Sequence, residues 1–264
     1  MMQHNNFTVI IPARMHSTRL PNKMVLLLNK IPLIVYTVNQ ALKSKAGRVI
    51  VATDHQDIIS ICKEHRIEAI MTHDTHTSGT ERLAQAVNLL NLNADEIVIN
   101  VQGDEPLIEP HLINQLADFI KKKQTEVATI AHPILSEDEI FNPHVVKVVL
   151  NKMGNALYFS RSPIPYYRDG FAKRNEFKFP QDINILRHIG IYAYTVKFLK
   201  HYGELPHCIL EQVECLEQLR VLYNGYNISV LETSLTHEAG VDTLEDLQRI
   251  RQLINNKESH AATR

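Results

Sequence analysis

The stretch V-I-I-P-A-R-M-H-S-T-R-L-P-N-K, from Val9 to Lys23, decides how the chain is read. A short apolar run of strand type breaks at Pro12, and three cations follow at uneven spacing: Arg14, Arg19 and Lys23. A single amphipathic helix would gather those cations on one face and repeat its apolar residues at helical period. The spacing does neither, and Pro12 and Pro21 interrupt a helix further. The stretch reads as a buried strand that opens into a cationic loop.

Outward from it, strand-like runs alternate with helical patterns. Strands are expected at Arg48–Asp54, Ile67–Met71 and Glu96–Val101. Helices are expected from Pro32 to about Ser44, at Ile58–His65 and at Thr77–Leu90, and Pro110 opens another. That alternation argues for an α/β fold with a mostly parallel central sheet flanked by helices on both faces. The second half is less regular. Val145–Leu150 and Ala156–Ser160 read as adjacent strands, Ile189–Tyr194 and Ile228–Glu232 as two more, and Arg168–Gln181 as a polar surface loop. One helix is expected over Ile209–Tyr223, stopped by Gly225, and a last one over Leu244–Asn255 before a frayed tail. No repeat or linker divides the chain, which reads as one α/β domain with an inserted or appended sub-structure.

On the helix expected at Ile209–Tyr223, Ile209, Leu210, Val213, Leu216 and Val221 mark an apolar arc, and Glu217 and Arg220 fall inside it. A carboxylate on a buried face needs a partner. Two readings stay open: a structural pair with Arg220 at i+3, or a hydrogen bond from Glu217 to a substrate.

The 264 residues carry a formal charge of −1, so no global basic field points to nucleic acid. With 44% hydrophobic and 22% charged residues, the chain can bury a sizeable core. Cys62, Cys208 and Cys215 form no paired framework and read as reduced structural thiols. No export leader is legible at the N-terminus, and the apolar run Met24–Val38 is broken by Asn29, Lys30 and Pro32, so a soluble, cytoplasmic protein is expected. His73, His76 and the His207-Cys208 pair lack the remainder of a zinc set.

Four polar clusters fall at strand ends or helix starts: the cationic loop, A-T-D at Ala52–Asp54, T-S-G-T-E-R at Thr77–Arg82 and Q-G-D-E-P at Gln102–Pro106. In an open parallel sheet, ligands bind beyond such ends. The loop offers guanidiniums, an ammonium and the hydroxyls of Ser17 and Thr18, a set suited to a polyphosphate, although no Walker pattern is present. Q-G-D-E-P places Asp104 and Glu105 just past a strand, either as an ordinary acidic turn or as a strand-end aspartate facing a polyphosphate, where magnesium takes one or two carboxylates with phosphate and water. T-S-G-T-E-R serves either as an anion site at a helix N-terminus or as a helix cap.

Together, V-I-I-P-A-R-x-x-S-T-R-L-P-x-K, V-A-T-D, T-S-G-T-E-R, I-N-V-Q-G-D-E-P, Y-F-S-R-S-x-I-P, R-H-I-G-I-Y, L-E-Q-L-R and G-V-D-T-x-E-D-L resemble the 3-deoxy-manno-octulosonate (Kdo) cytidylyltransferase family. The match runs in order from Phe7 to Ile254, nearly the whole chain. The resemblance implies a Rossmann-like nucleotidyltransferase fold, with a CTP-binding half at about 7–135 and a sugar-binding and dimerisation half at about 136–256. It implies transfer of CMP from CTP to Kdo with release of pyrophosphate, magnesium as cofactor, a cytoplasmic homodimer, and a place in lipopolysaccharide synthesis. Carried over by motif, Arg14, Ser17, Arg19, Lys23, Thr80 and Gln102 would hold CTP, with Lys23 on its phosphates. Asp104 and Asp242 would be the metal carboxylates, acting with Lys23 and Arg14 in catalysis. Arg82, Gln102, Arg161, His188, Tyr192, Glu217 and Gln218 would line the sugar pocket.

Two positions depart from the family pattern. Asn22 stands where a glycine is usual, and tolerates the left-handed conformation. Lys30 stands for the glycine of a G-K-P turn, which bears on the local turn rather than the chemistry. The alternatives are a cytidylyltransferase for another acidic sugar (8-amino-Kdo or a sialic acid), a sugar-nucleotide-consuming glycosyltransferase, and a non-catalytic nucleotide-binding module.

Overall fold

The computed structural model describes residues 7–17, 19–171, 184–235, 238 and 240–262, with only the backbone for 257–262. Thr18, and the expected loop beyond Phe171, lie outside the described residues. The strands are β1 (Phe7–Ala13), β2 (Leu27–Leu28), β3 (Ile31–Pro32), β4 (Arg48–Thr53), β5 (Glu68–Met71), β6 (Ile97–Asn100), β7 (Val127–Pro133), β8 (Lys147–Leu150), β9 (Ala156–Ser160), β10 (Leu186–Thr195) and β11 (Ser229–Glu232). The helices are α1 (Leu33–Ala41), α2 (Gln56–Glu64), α3 (Gly79–Leu89), α4 (Pro110–Lys123), α5 (Glu137–Phe141), α6 (Arg168–Phe171), α7 (Val196–Tyr202), α8 (Ile209–Glu214), α9 (Gln218–Tyr223) and α10 (Leu244–Ala262).

One sheet runs through both halves of the chain in the order β11-β7-β10-β6-β1-β4-β5, with β8 and β9 branching from β10. Along that path every strand but β10 runs the same way, because β10 pairs antiparallel with both β6 and β7. β1 lies in the interior of the sheet and is buried on both faces, as an apolar run without alternation requires. Its Phe7, Val9 and Ile11 face a core shared with α1, α2, α4 and α10, while Ile10 faces a second core with α3, α7 and α9.

Pro12 does not break the strand. β1 continues to Ala13, pairing Pro12 with Ala52 of β4, whereas its pairing with β6 stops at Ile10. The carbonyl of Ile10 bonds the β6 side, so Pro12, of the same parity, turns its missing N–H to a side where the ladder has ended.

Several further expectations are corrected. Val127–Pro133, unassigned from sequence, is β7, buried between β10 and β11. The helix expected over Ile209–Tyr223 is two helices, split where Cys215 adopts φ 51°. None of α8 is buried, so the apolar arc is not a core stripe: Ile209 and Val213 are 64% and 74% exposed. Arg168–Phe171 is a short helix with Phe171 buried against Ile140 and Ile185 rather than an unstructured surface segment, and α10 extends past Asn255 to Ala262.

The two departures keep their turns. Asn22 sits at φ 56° just before a 3₁₀ turn over Lys23–Val25. Asn29 and Lys30, at φ 46° and 72°, join β2 to β3 as a two-residue hairpin of type I′ shape.

Candidate active site

The sequence clusters meet beyond the C-terminal ends of β1, β4 and β6. Two glycines allow the approach. A β-carbon on Gly103 would lie 2.9 Å from the Pro12 carbonyl oxygen, and one on Gly240 would lie 2.8 Å from that of Asp104. The Val241 amide donates to the Asp104 carbonyl at 2.9 Å, which ties the segment before α10 to the Q-G-D-E-P turn.

At this junction the Lys23 ammonium bonds the Asp104 carboxylate, Asp242 Oδ1 at 3.0 Å and the Val241 carbonyl at 3.2 Å. Burial works against the charge of Lys23, but Asp104 and Asp242 outweigh it and hold the ammonium above its ordinary pKa. Burial likewise opposes ionisation of Asp242, and Lys23 together with Arg19 overcomes it, so its pKa lies below the usual carboxylate value. Arg19 Nη2 reaches Asp242 Oδ2 at 3.0 Å. Arg14 is exposed and Ser17 half-buried on the same loop.

Among the described residues, no three His, Cys, Asp or Glu converge on a metal position. Two carboxylates and a carbonyl around one ammonium nevertheless fit a hard divalent cation whose shell is completed by phosphate oxygens and water. The ammonium is a stand-in cation at that place.

A second group forms around the N-terminus of α3. Ser78 caps the helix by accepting from the Glu81 amide, and Glu81 accepts back from Thr77. The next free amide, that of Thr80, donates to Glu217 Oε2 at 3.2 Å. The break between α8 and α9 brings Glu217 there. Burial raises the Glu217 pKa, against hydrogen bonds from Thr80 and Ser78. Of the two readings left open for Glu217, the pair with Arg220 does not form: the buried Arg220 pairs with Glu211 and with Glu81 at 3.0 Å. The Thr80 hydroxyl is buried beside Tyr194 Oη at 3.3 Å, Gln102 packs against Gly79, and Gln218 is buried at the start of α9.

A third group lies on β10. His188 Nε2 meets Thr129 Oγ1 at 3.0 Å, and Thr129 also bonds the carbonyls at the β10 bulge. Burial pushes the His188 pKa down to about 3, so the imidazole is neutral. Tyr192 is buried between the rings of His188 and Tyr194.

Two arginines expected in the sugar pocket are committed to protein acceptors. Arg82 Nη2 pairs with Asp54 at 2.7 Å, and its Nη1 donates to Thr72 and the His73 carbonyl. Arg161 donates to the carbonyls of Glu214, Pro143 and Cys215. Sequence reasoning put Asp54 in the A-T-D cluster but gave it no partner; it also accepts from the Met15 amide and so joins the cationic loop to α3. Sequence reasoning missed Asn100, a wholly buried side chain opposite Tyr192 and beside Tyr194.

Residues 8–232 match the family model described as Cytidylyltransferase. The 3-deoxy-manno-octulosonate cytidylyltransferase of Neisseria meningitidis serogroup C is 51% identical over 245 residues, 93% of this chain and 96% of that protein. The protein of the same name from Herminiimonas arsenicoxydans is 51% identical over 94% of this chain and 98% of its own. The solved structure of CMP:2-keto-3-deoxy-manno-octonic acid synthetase complexed with CTP superposes with a TM-score of 0.85 at 38% identity, covering 96% of this chain and 99% of that one. The order of the motifs, the sheet path and these likenesses lead to one placement: the chain belongs to the 3-deoxy-manno-octulosonate cytidylyltransferase family.

Proposed function

We propose that this chain transfers CMP from CTP to Kdo, giving CMP-Kdo and pyrophosphate. The observation that carries the reading is the meeting of Arg19, Lys23, Asp104 and Asp242 at the strand ends. Two cations suited to phosphate face two carboxylates suited to a hard cation.

In this reading the loop Arg14–Lys23 wraps the triphosphate. Arg14 and Arg19 offer paired donors, Lys23 gives a mobile point charge, and Ser17 adds a hydroxyl. The anomeric hydroxyl of Kdo attacks the α-phosphorus in line and gives up its proton to solvent, the bond from that phosphorus to the oxygen bridging to the β-phosphate breaks, and pyrophosphate leaves with that electron pair. Positioning and charge neutralisation supply the catalysis, with no covalent enzyme intermediate. Magnesium bound by Asp104 and Asp242 would neutralise phosphate charge and lower the pKa of the attacking hydroxyl. Thr80 and Gln102 flank the nucleotide from α3 and β6. Glu217, Gln218, His188, Tyr192, Arg82 and Arg161 line or support the sugar side, Glu217 as acceptor of a sugar hydroxyl and neutral His188 without charge of its own.

Residues 7–135 carry most of the CTP contacts and 136–256 the sugar contacts, with Asp242 crossing to the nucleotide side. A homodimer fits the exposure of Ile209 and Val213 on α8 and of Leu157 on β9, two elements joined by the bond between Ser160 and Glu214. Among the described residues no helix is long and apolar enough to cross a membrane; a cytoplasmic enzyme supplying activated Kdo for lipopolysaccharide is consistent with that. Pyrophosphate release with CTP and a panel of Kdo, 8-amino-Kdo and a sialic acid tests the reading. Kdo should give the highest specificity constant, and a preference for either other sugar would overturn the acceptor.

A further inference from the structure

The Lys23 ammonium sits among the oxygens proposed above to hold the cation. It touches Asp104, Asp242 and the Val241 carbonyl, oxygens from two separate segments, with the Lys23 side chain only 8% exposed. Arg19 covers the other oxygen of Asp242. Two carboxylates thus face two cations, which offset their charge. A divalent cation approaching it would lose much of the attraction that the carboxylate pair alone would exert, and would meet an ammonium in place of free oxygens.

The lysine is held in a way that lets its head group move while its backbone stays. Asn22 at φ 56° and the 3₁₀ turn over Lys23–Val25 fix the main chain, and the next residue, Met24, is buried in the core. The four-carbon stem alone can carry the ammonium elsewhere. Arg19, the other counter-charge, is more than half exposed and free to turn.

We infer that Lys23 is a resident counter-ion that closes the divalent-cation site of the empty enzyme, and that the triphosphate opens the site by drawing Lys23 and Arg19 onto its phosphates. This rests on reading Asp104 and Asp242 as the cation pair. Once both cations leave, the two carboxylates lose their compensation and become a strong site for a hard cation, which the phosphate oxygens complete. Nucleotide and metal then bind with positive coupling, and by reciprocity each tightens the other. The nucleotide-free enzyme keeps no resident metal, so the lysine sets the order in which the reacting groups assemble.

The test measures Mn2+ binding to nucleotide-free protein by electron paramagnetic resonance and calorimetry, with thermal melting alongside. Wild type should bind weakly, and its melting temperature should be insensitive to Mn2+. Lys23→Met should bind Mn2+ at least about tenfold more tightly, toward the low end of measured site couplings of roughly 5–150-fold. Its melting temperature should fall in a chelator, because two uncompensated carboxylates repel, and recover on adding Mn2+. Lys23→Gln should behave in the same way, which guards against a packing defect peculiar to methionine. Asp104→Asn added to Lys23→Met should remove the gain. Wild type binding Mn2+ as tightly as both folded Lys23 variants would overturn the inference while leaving the cation pair in place. An Asp104→Asn enzyme with undiminished metal-dependent turnover would instead overturn the cation-pair reading, and the inference with it.

Discussion

Replacing Glu217 by Gln separates a structural from a substrate-binding role, and the geometry fixes the expected size of each effect. The Glu217 carboxylate accepts from the Thr80 amide at 3.2 Å, at the positive end of α3, and from the side chains of Ser78 and Thr80. Gln keeps an acceptor oxygen for that amide and loses the charge. The lost attraction to the helix end is about 0.3–1 kcal/mol, and relief of the desolvation that raises the Glu217 pKa works the other way. The melting temperature should therefore move by less than about 2–4 °C, the shift expected per 1 kcal/mol in chains of roughly this size. Arg220 adds no penalty, since its partners are Glu211 and Glu81. The sign with pH also follows. The folded carboxyl holds its proton more tightly than the unfolded chain, so ionising it costs stability as pH rises through the carboxylate range. Gln escapes that cost, and the variant gains on wild type between acidic and neutral pH. Catalytically, a hydrogen bond from a sugar hydroxyl to a charged acceptor is worth about 1.5–3 kcal/mol, so kcat/KM for Kdo should fall about tenfold to a hundredfold while KM for CTP holds. Steady-state kinetics and melting on one preparation decide it. Unchanged kinetics for Kdo beside a large loss of stability would refute the assignment and leave Glu217 as a capping residue.

Three further outcomes follow from other parts of the molecule. Lys30→Gly should raise stability by about 0.5–1 kcal/mol in urea unfolding, because φ 72° suits glycine and not a side chain with a β-carbon; a loss would mean that Lys30 makes a compensating contact. His188 is neutral in the fold with a pKa near 3 but takes a proton at about 6.5 when unfolded. Its burial therefore costs stability as pH falls from the upper value toward the lower, about 1.4 kcal/mol for each pH unit. His188→Gln should flatten that acid limb, and equal slopes would contradict the burial argument. If the proposed homodimer forms through α8, wild type should have a dimer's mass by light scattering and Val213→Glu a monomer's, with the fold retained by circular dichroism; a dimeric variant would move the contact elsewhere, and a monomeric wild type would remove the dimer.

The alternating half of the fold was legible because interior strands buried on both faces read as unbroken apolar runs, as in β1, β4 and β6. β7 escaped because its V-A-T-I-A-H-P mixes small and polar residues with a terminal proline, and its burial comes from β10 and β11 rather than from its own pattern. The split of α8 from α9 was hidden for a different reason. Apolar spacing assumes a continuous helix, and nothing in Cys215 announces a left-handed residue. Counting across that break created both the false apolar arc and the false Glu217–Arg220 pair. At the site, motifs gave the residue types but not their partners. Lys23 meets acids 81 and 219 positions away, and Arg82 meets Asp54 across 28. Only the sheet order brings such residues together, which is why the Arg82–Asp54 pair was not legible in the sequence.

The central claim is that the cluster of Arg19, Lys23, Asp104 and Asp242 joins CMP to Kdo. Phosphorus NMR on CTP, Kdo and magnesium with the purified protein tests it most directly. Wild type should produce pyrophosphate and a new phosphodiester resonance in equal amounts, and neither should form without Kdo. Asp104→Asn, folded by its melting curve, should produce almost none. Pyrophosphate formed without Kdo, or a fully active Asp104→Asn enzyme, would contradict the account.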